Sequence, residues 1–263
     1  MTTVGDILEF VQRLAPVSMK MEWDHVGLNC GRKDRPVSKV LVALDPFDEA
    51  IEEAAGWGAD VLLTHHVLLY KPGFITDGDT QGRRVLRLIE CGIAHINAHT
   101  NLDCAPGGVN DCLAAALGLQ DVQVVNPEGT DALGRPYGLL RAGTVARQDL
   151  ETFLAHVKAS LGCPGLRYVS GGRPVQKVAV GGGSCGDFFR EALDAGCDTF
   201  VTADIKYNVF RDAYDSGLNL VEAGHFHTEV PVCRYLAEQL RQYFPELTVK
   251  ISENHGDPMK FFI

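Results

Sequence analysis

Short apolar runs alternate with amphipathic segments along most of the chain. An unbroken apolar run that follows a helical segment is typical of a parallel strand covered on both faces. Segments that show the order strand, helix, strand are 40–43, 49–55 and 61–63, and again 178–180, 188–193 and 200–201. Each series therefore predicts a βαβ unit of a parallel sheet.

The two series are copies of one another. Residues 37–66 align without a gap onto residues 175–204, and nine of the thirty aligned positions are identical. The match resumes further along, where His99-x-x-x-Asp103 and His225-x-x-x-Glu229 each follow a short apolar run. Further predicted strands are 93–98 and 218–223, and further predicted helices are 109–117 and 232–243. A repeat of this kind predicts two related structural units.

The predicted fold class is α/β, with two related α/β lobes that arise from the internal repeat. The polar segment 126–134, which contains Pro and Gly, has the composition of a connecting loop. We therefore predict a first lobe at residues 1–126 and a second at 127–263. In parallel α/β sheets, ligands bind beyond the carboxyl ends of the strands. The repeat thus predicts a site at these strand ends, between the lobes.

The composition is that of a folded protein with an acidic balance. Of the 263 residues, 46% are hydrophobic and 22% are charged, and the formal net charge is -10. This balance disfavours a nucleic-acid polymer as partner, because affinity for the phosphate backbone comes from Lys and Arg. No apolar run is long enough to span a bilayer and the N-terminal residues lack a signal-peptide pattern, so we expect a cytoplasmic protein without membrane contact. The eight cysteines show no C-x-x-C spacing and are expected to be reduced.

Histidine and carboxylate side chains collect where the predicted strands end. Packing alone is a poor explanation for four histidines and two carboxylates at equivalent strand ends. The candidate metal ligands are His65, His66, His99, Asp103, His225 and Glu229. Imidazole and carboxylate together suit Zn²⁺, Fe²⁺, Mn²⁺, Co²⁺ or Ni²⁺. Because six ligands exceed one tetrahedral ion, we predict two divalent ions per chain, with Asp103 or Glu229 as the bridge.

A glycine-rich motif competes with the metal interpretation. Gly181–Gly186 reads G-x-G-x-x-G between a predicted strand and a predicted helix. This pattern is typical of dinucleotide-binding loops, so an NAD(P)-binding oxidoreductase stays open as a third hypothesis, after the two metal-based functions given below. The glycines do not explain the histidines, so we favour an anion site in which backbone N–H groups bind a substrate phosphate beside the metals. The residues expected to contact the substrate are Gly182, Gly183, Ser184, Asp204, Lys206 and His25. The roles of His227 and His255 stay open.

Five motifs follow one another in a specific order along nearly the whole chain. They are WDHVGL at 23–28, LTHH at 63–66, AHTNLD at 98–103, GGVND at 107–111 and GHFHTE at 224–229. This set resembles the Nif-three-like family, whose members are also called GTP cyclohydrolase 1 type 2 homologues, in its short two-lobe form. The chain departs from the family at His25, where Asn is usual, and at Val67, where Pro is usual.

The resemblance implies a dinuclear metal site and a toroidal homohexamer. It places the metal ligands on His65, His66, Asp103, His225 and Glu229, with His99 as a further ligand or close neighbour. The implied activity is hydrolysis of a nucleotide or related small substrate by water that two metals activate. As a hypothesis of our own, Glu229 or a histidine that is not coordinated transfers the proton. The alternative is a non-catalytic protein that uses the same ligands for metal binding, metal delivery or regulation.

Overall fold

The computed structural model describes residues 1–69 and 73–262. The strands along these residues are β1 (Gly27–Cys30), β2 (Lys39–Ala43), β3 (Val61–Thr64), β4 (Ala94–Asn97), β5 (Gln120–Val125), β6 (Gly129–Thr130), β7 (Pro136–Tyr137), β8 (Leu140–Gln148), β9 (Arg167–Val169), β10 (Val175–Val180), β11 (Thr199–Thr202), β12 (Asn219–Glu222) and β13 (Thr248–Ile251). Most predicted strands lie within one or two residues of these bounds.

Helices alternate with the strands through most of the chain, which confirms the predicted α/β class. They are α1 (Val4–Leu14), α2 (Asp48–Trp57), α3 (Thr80–Cys91), α4 (Thr100–Cys104), α5 (Val109–Ala116), α6 (Leu150–Leu161), α7 (Phe189–Asp194), α8 (Tyr207–Asp215), α9 (His225–Glu229) and α10 (Pro231–Tyr243). Within the described ranges, none of these helices has both the length and the apolar character needed to cross a bilayer.

The chain forms two compact units that do not follow the predicted lobes. The first contains Met1–Ala105 and Val232–Gly256, and the second contains Pro106–Pro231 with the described residues after Gly256. The predicted lobes 1–126 and 127–263 differ from this division at both ends. Helix α5 and strand β5 contact β8 of the second unit, whereas β13 pairs in parallel with β2 of the first unit.

The first unit is built on a five-stranded sheet in the order β1-β4-β3-β2-β13. The strands from β4 to β13 are parallel, and β1 pairs antiparallel with β4. Every residue of β3 and β4 is buried, as expected for strands covered on both faces. On one face, Leu41 and Leu62 share a buried cluster with Ile51 of α2 and Leu88 of α3.

The second unit is built on a six-stranded sheet in the order β5-β8-β10-β11-β12-β9. Strands β10, β11 and β12 are parallel, and the outer strands pair antiparallel with their neighbours. Successive residues of β11 enter different clusters, with Phe200 packed among residues of α7 and α8 and Val201 among residues of α5 and α6. The central strands therefore have helices on both faces.

Identical residues of the repeat make the same contacts in both copies. Gly58 and Gly196 have φ values of 72° and 75° just after α2 and α7, a left-handed conformation that favours glycine. Lys39 donates from Nζ to the carbonyl oxygen of Trp57 at the end of α2, and Lys177 donates to that of Ala195 just after α7. These contacts join each strand to the helix that follows it.

A shared aspartate fixes the start of the first strand in each copy. Asp60 Oδ2 accepts hydrogen bonds from the backbone N–H groups of Ser38 and Lys39 at 2.8 and 3.0 Å. Asp198 makes the equivalent contacts in the second copy. Burial opposes ionisation of Asp60, but these hydrogen bonds outweigh it and lower the pKa of the carboxyl group.

We expect Asp60→Ala to lower the free energy of unfolding by about 1–3 kcal/mol at neutral pH, because it leaves backbone donors without their acceptor. Urea unfolding followed by circular dichroism measures this loss. Since the folded-state pKa of Asp60 is lowered, the difference from wild type is full above the unfolded-state pKa and shrinks as the pH falls through the folded-state pKa. Asp34→Ala, at an exposed aspartate, is the control. An equal loss in both variants would contradict this account.

Candidate metal centre

Strands β2, β3 and β4 of the first unit end side by side. Their last residues are neighbours in the register of the parallel sheet, so the residues that follow emerge at one edge. These following residues include the predicted ligands His65, His66 and His99. The potential ligand nitrogens of the three histidines lie within 4.8 Å of one another.

Asp103 joins these histidines through the one-turn helix α4. His99 immediately precedes α4 and Asp103 lies four residues later, so one helical turn brings the two side chains to the same side. Asp103 Oδ1 lies 3.5 Å from Nε2 of His65, and both residues are buried. The first unit therefore brings together its four predicted ligands, which are called the first ligand set below.

Each histidine of the first ligand set has an oxygen acceptor at Nδ1. The pairs are His65 with the Ala98 carbonyl at 2.9 Å, His66 with Asp45 Oδ1 at 2.6 Å, and His99 with Asp24 Oδ1 at 2.9 Å. Carbonyl and carboxylate oxygens only accept, so Nδ1 carries the hydrogen in each case. This tautomer places the lone pair of the neutral ring on Nε2, the atom that would bind a metal.

Asp24 is the most extensively bonded of these acceptors. Its Oδ2 accepts hydrogen bonds from the backbone N–H of Thr100 at 3.0 Å and from the Thr100 hydroxyl at 2.5 Å, while Oδ1 meets His99. Burial opposes ionisation of Asp24, but the hydrogen bonds from His99 and Thr100 outweigh it and lower its pKa. The carboxylate therefore stays ionised and fixes the His99 ring to the start of α4.

The second unit contributes a smaller group, called the second ligand set, on the one-turn helix α9. His225 begins this helix and Glu229 ends it, and His225 Nε2 lies 3.1 Å from Glu229 Oε2. His225 Nδ1 donates to Asp204 Oδ2 at 2.7 Å. Asp204 therefore accepts the Nδ1 hydrogen bond of His225 as Asp45 accepts that of His66.

The second ligand set strongly favours a positive charge. Burial opposes protonation of His225, but its hydrogen bonds to Asp204 and Glu229, together with their negative charges, raise its pKa to about 10. The imidazolium form therefore stands between two carboxylates. A divalent cation at Nε2 would replace the proton there and satisfy the same charges.

The glycine loop forms a wall against the second ligand set. A Cβ atom built on Gly183 would lie 2.1 Å from Glu229 Oε1 and 3.1 Å from His225 Nε2, and the residue has φ of +64°. A Cβ on Gly182 would lie 3.2 Å from Glu229 Cγ. The absent side chains leave the space in which the Glu229 carboxylate and the His225 nitrogen meet, so the loop forms a cradle that a Cβ would fill.

The N–H groups of Gly182 and Gly183, which were predicted to bind a substrate phosphate, bond to neighbouring side chains. The Gly182 N–H donates to Asn110 Oδ1 at 2.7 Å, and the Gly183 N–H donates to Thr228 Oγ1 at 3.0 Å. Because both donors are used inside the second unit, a phosphate would have to replace these hydrogen bonds, and the phosphate contact stays a prediction. The local helix geometry also weighs against the dinucleotide interpretation. Helix α7 is only six residues long, and it is separated from the glycines by a 3-10 turn at Gly186–Phe188.

The other predicted substrate residues fall into two groups. Asp204 orients His225, as described above. His25, Ser184 and Lys206 are exposed, and Lys206 Nζ lies 3.4 Å from Asp187 Oδ2. Their exposure is compatible with substrate contact, which stays a prediction.

Three further histidines make contacts of their own. His227 Nδ1 donates to the Leu161 carbonyl at 3.2 Å, and His255 Nδ1 donates to the Ser252 carbonyl at 3.0 Å. Burial lowers the pKa of His95 to about 3, so this ring is neutral, and its Nε2 meets the Thr64 hydroxyl at 2.8 Å. We assign no metal to these three residues.

The donors of both ligand sets fit a divalent metal. Imidazole nitrogen and carboxylate oxygen together match transition metals and zinc better than Mg²⁺ or Ca²⁺, which prefer oxygen alone. Buried histidine and carboxylate groups of this kind could hold a metal ion.

Sequence reasoning missed the groups that position the ligands. Asp24 and Asp45 were not predicted as site residues, and Asn110 and Thr228 were not recognised as acceptors for the glycine loop. A signal was present for Asp45, because it follows a strand end and aligns with Gly183 in the repeat. Asp24 lies in the first motif but is far in sequence from His99, so only the folded chain reveals its contact.

The Duf34/NIF3 (NGG1p interacting factor 3) family matches residues 2–258. The chain belongs to the Duf34/NIF3 family. The match contains all five sequence motifs and both ligand sets, and it confirms the predicted resemblance.

Duf34/NIF3 relatives cover the chain from end to end. A Clostridium perfringens protein called GTP cyclohydrolase 1 type 2 homolog is 34% identical, over 98% of this chain and 99% of its own. A Streptomyces coelicolor protein of the same name is 36% identical, over 97% of this chain and 89% of its own. The crystal structure of a Bacillus cereus protein related to NIF3 has a TM-score of 0.91 at 27% identity and covers 99% of both chains. The two-unit chain therefore matches these relatives over nearly all of their length.

Gly183→Ala is expected to weaken metal binding about 10- to 100-fold, the range found when the support of a metal ligand is lost. The new methyl group would displace Glu229 and His225. Competition between the protein and a chromophoric chelator for Co²⁺ measures the dissociation constant.

Gly162→Ala is the matched control for this prediction. Gly162 has φ of +66°, and a Cβ there would meet nothing within 4 Å. Both variants therefore carry the same backbone strain, but only Gly183→Ala crowds the ligands. Equal Co²⁺ affinity in the two variants would show that the loop does not form the wall described here.

Asp45→Ala removes the acceptor at Nδ1 of His66 and should weaken metal binding about 10- to 100-fold. Asp45→Asn is expected to recover part of the affinity, because its amide oxygen can still accept the hydrogen bond. Asp48→Ala, three residues along, removes a carboxylate that pairs with Arg84 and serves as the control. The same chelator competition measures all three variants, and an unchanged affinity in Asp45→Ala would contradict the positioning role.

Proposed function

We propose that the protein is a metal-dependent hydrolase with a dinuclear divalent-metal centre. In this proposal, His65, His66, His99 and Asp103 act together with His225 and Glu229. The observation that supports it most is the hydrogen bonding of the four histidines, each of which has an oxygen acceptor at Nδ1. Metal-ligating histidines almost always donate from their second nitrogen in this way. The rings held by these bonds also converge, because the ligand atoms of His65, His66 and His99 lie within 4.8 Å of one another and His225 Nε2 lies 3.1 Å from Glu229 Oε2.

Two ions account for the number and the kind of ligands. Six candidate ligands are more than one tetrahedral ion takes. Each unit supplies one carboxylate, Asp103 or Glu229, and a carboxylate can bridge two ions that lie about 3.5–4 Å apart. Zn²⁺, Fe²⁺, Mn²⁺, Co²⁺ and Ni²⁺ all suit these donors.

The chemistry follows from the ligands and from the groups that hold them. Divalent ions at these positions would supply Lewis acidity and lower the pKa of water, as hydrolysis of a stable bond near neutral pH requires. Asp24, Asp45 and Asp204 keep the imidazoles oriented. Glu229, buried beside His225, is the group that we assign to proton transfer.

The proposed substrate is a small molecule with a cyclic C–N bond, in the first instance a nucleotide. The Clostridium perfringens and Streptomyces coelicolor relatives carry the name GTP cyclohydrolase 1 type 2 homolog, and ring opening of that kind is a hydrolysis. Ser184, Lys206 and His25 are the candidates for substrate contact. The family resemblance further supports a homohexamer in the cytoplasm.

Elemental analysis of the purified protein by mass spectrometry tests the proposal. We expect near two transition-metal ions per chain, with loss of metal in His66→Ala and in Glu229→Ala. His156→Ala is the control and should keep its metal, because His156 lies on α6 and hydrogen-bonds to the Leu117 carbonyl. Metal-loaded protein is then incubated with GTP, and ring opening is followed by the change in guanine absorbance.

Two results would change the assignment. Absence of metal from protein reconstituted without chelator would contradict both the hydrolase and the metal-delivery alternative. Two bound ions with no exchangeable coordination position and no turnover of nucleotides would favour metal delivery, because catalysis needs a position open to water or substrate.

A further inference from the structure

An exposed tryptophan stands beside the first ligand set. Trp23 is 59% exposed, although indole is among the largest apolar surfaces that a side chain offers. Its ring centroid lies 6.0 Å from that of His99, with the two ring planes at 76°. Because the rings are nearly perpendicular, they do not stack on each other, and the indole keeps surface for a further contact.

The backbone on both sides of Trp23 is anchored. Before it, the Met21 N–H donates to the Thr100 hydroxyl at 2.9 Å. After it, Asp24 is 2% exposed and accepts hydrogen bonds from both Thr100 and His99. The main chain that carries the indole is therefore held in one place, and little ordering of this segment is needed when a ligand binds to it.

We propose that Trp23 is a stacking platform for a planar heteroaromatic ring, the part of the substrate that lies beside the first ligand set. The inference rests on the proposed function, since it positions the ring of that substrate. Aromatic partners lie with centroids about 4.5–7 Å apart, so a ring that covers Trp23 lies no more than about 13 Å from the His99 ring.

Stacking selects a class of substrate rather than one compound. Every nucleobase has a π-face, so an indole favours all of them over aliphatic or purely anionic molecules. The chain is acidic, with a net charge of -10, and the amides of Gly182 and Gly183 bond inside the second unit. These features favour recognition through the ring over recognition through phosphate alone.

Tryptophan emission tests the inference directly, because the chain has two tryptophans and Trp57→Phe leaves Trp23 as the only one. The Zn²⁺-loaded Trp57→Phe protein is titrated with GTP, UTP and inorganic tripolyphosphate. We expect GTP and UTP to quench the emission, GTP at the lower concentration, and tripolyphosphate to leave it unchanged. Calorimetry gives the dissociation constants independently of the fluorescence.

Variants of Trp23 give the second arm of the test. Trp23→Leu is expected to weaken GTP binding about tenfold, as loss of one base-stacking aromatic does, whereas Trp23→Phe should stay within about threefold of wild type. Tyr214→Leu, which removes an exposed aromatic from α8, is the control and should leave GTP binding unchanged. Equal GTP affinity in wild type and Trp23→Leu, or equal quenching by tripolyphosphate, overturns the inference.

Metal content measured on the same samples separates the inference from the proposed function. Protein that takes up Zn²⁺ but shows no response of Trp23 to GTP or UTP overturns the stacking platform alone. Protein that takes up no metal but binds GTP with quenching contradicts the proposed function and supports the stacking platform. A change of oligomeric mass in Trp23→Leu at unchanged GTP affinity would overturn the inference and assign the indole to an interface between copies.

Discussion

The hydrogen bond at Nδ1 of each ligand histidine is the constraint on which the candidate site depends. An imidazole can turn about two side-chain bonds, and an acceptor at one nitrogen fixes both the ring plane and the direction of the other nitrogen. The acceptors are Asp24, Asp45, Asp204 and the Ala98 carbonyl. Three of them lie within two residues of the end of a parallel strand, so the register that positions the candidate ligands also positions the groups that orient them.

The repeat uses equivalent positions for different tasks. His66 and Asp204 are equivalent in the alignment, and the first is a candidate ligand while the second holds the candidate ligand His225. Asp45 and Gly183 are also equivalent, and the first holds His66 while the second makes room for Glu229. The scaffold contacts of Lys39, Gly58 and Asp60 are kept in both copies. Duplication therefore preserved the βαβ unit, and the strand ends diverged.

Local patterns were enough to predict the βαβ units, the repeat and the candidate ligands. Strands buried on both faces are visible as short apolar runs, and the candidate ligands are the polar residues that follow these runs. The division into units was not predictable in this way. Strand β13 has the sequence Thr-Val-Lys-Ile, which does not indicate the sheet that it joins. Its pairing with β2 in the folded chain places β13 and α10 in the first unit. The contact of Asp24 with His99 escaped prediction for the same reason, since 75 residues separate them.

The glycine loop shows what such a motif does and does not specify. A glycine is required wherever another group occupies the space of a Cβ, and the sequence does not say which group that is. In a dinucleotide-binding loop it is a phosphate, whereas at Gly183 it is the carboxylate of Glu229, whose Oε1 would lie 2.1 Å from an added Cβ. A close backbone wall also keeps water from one side of that buried carboxylate, which strengthens its attraction for a cation. Both kinds of site therefore select the same glycines, and the neighbouring histidines decide between them.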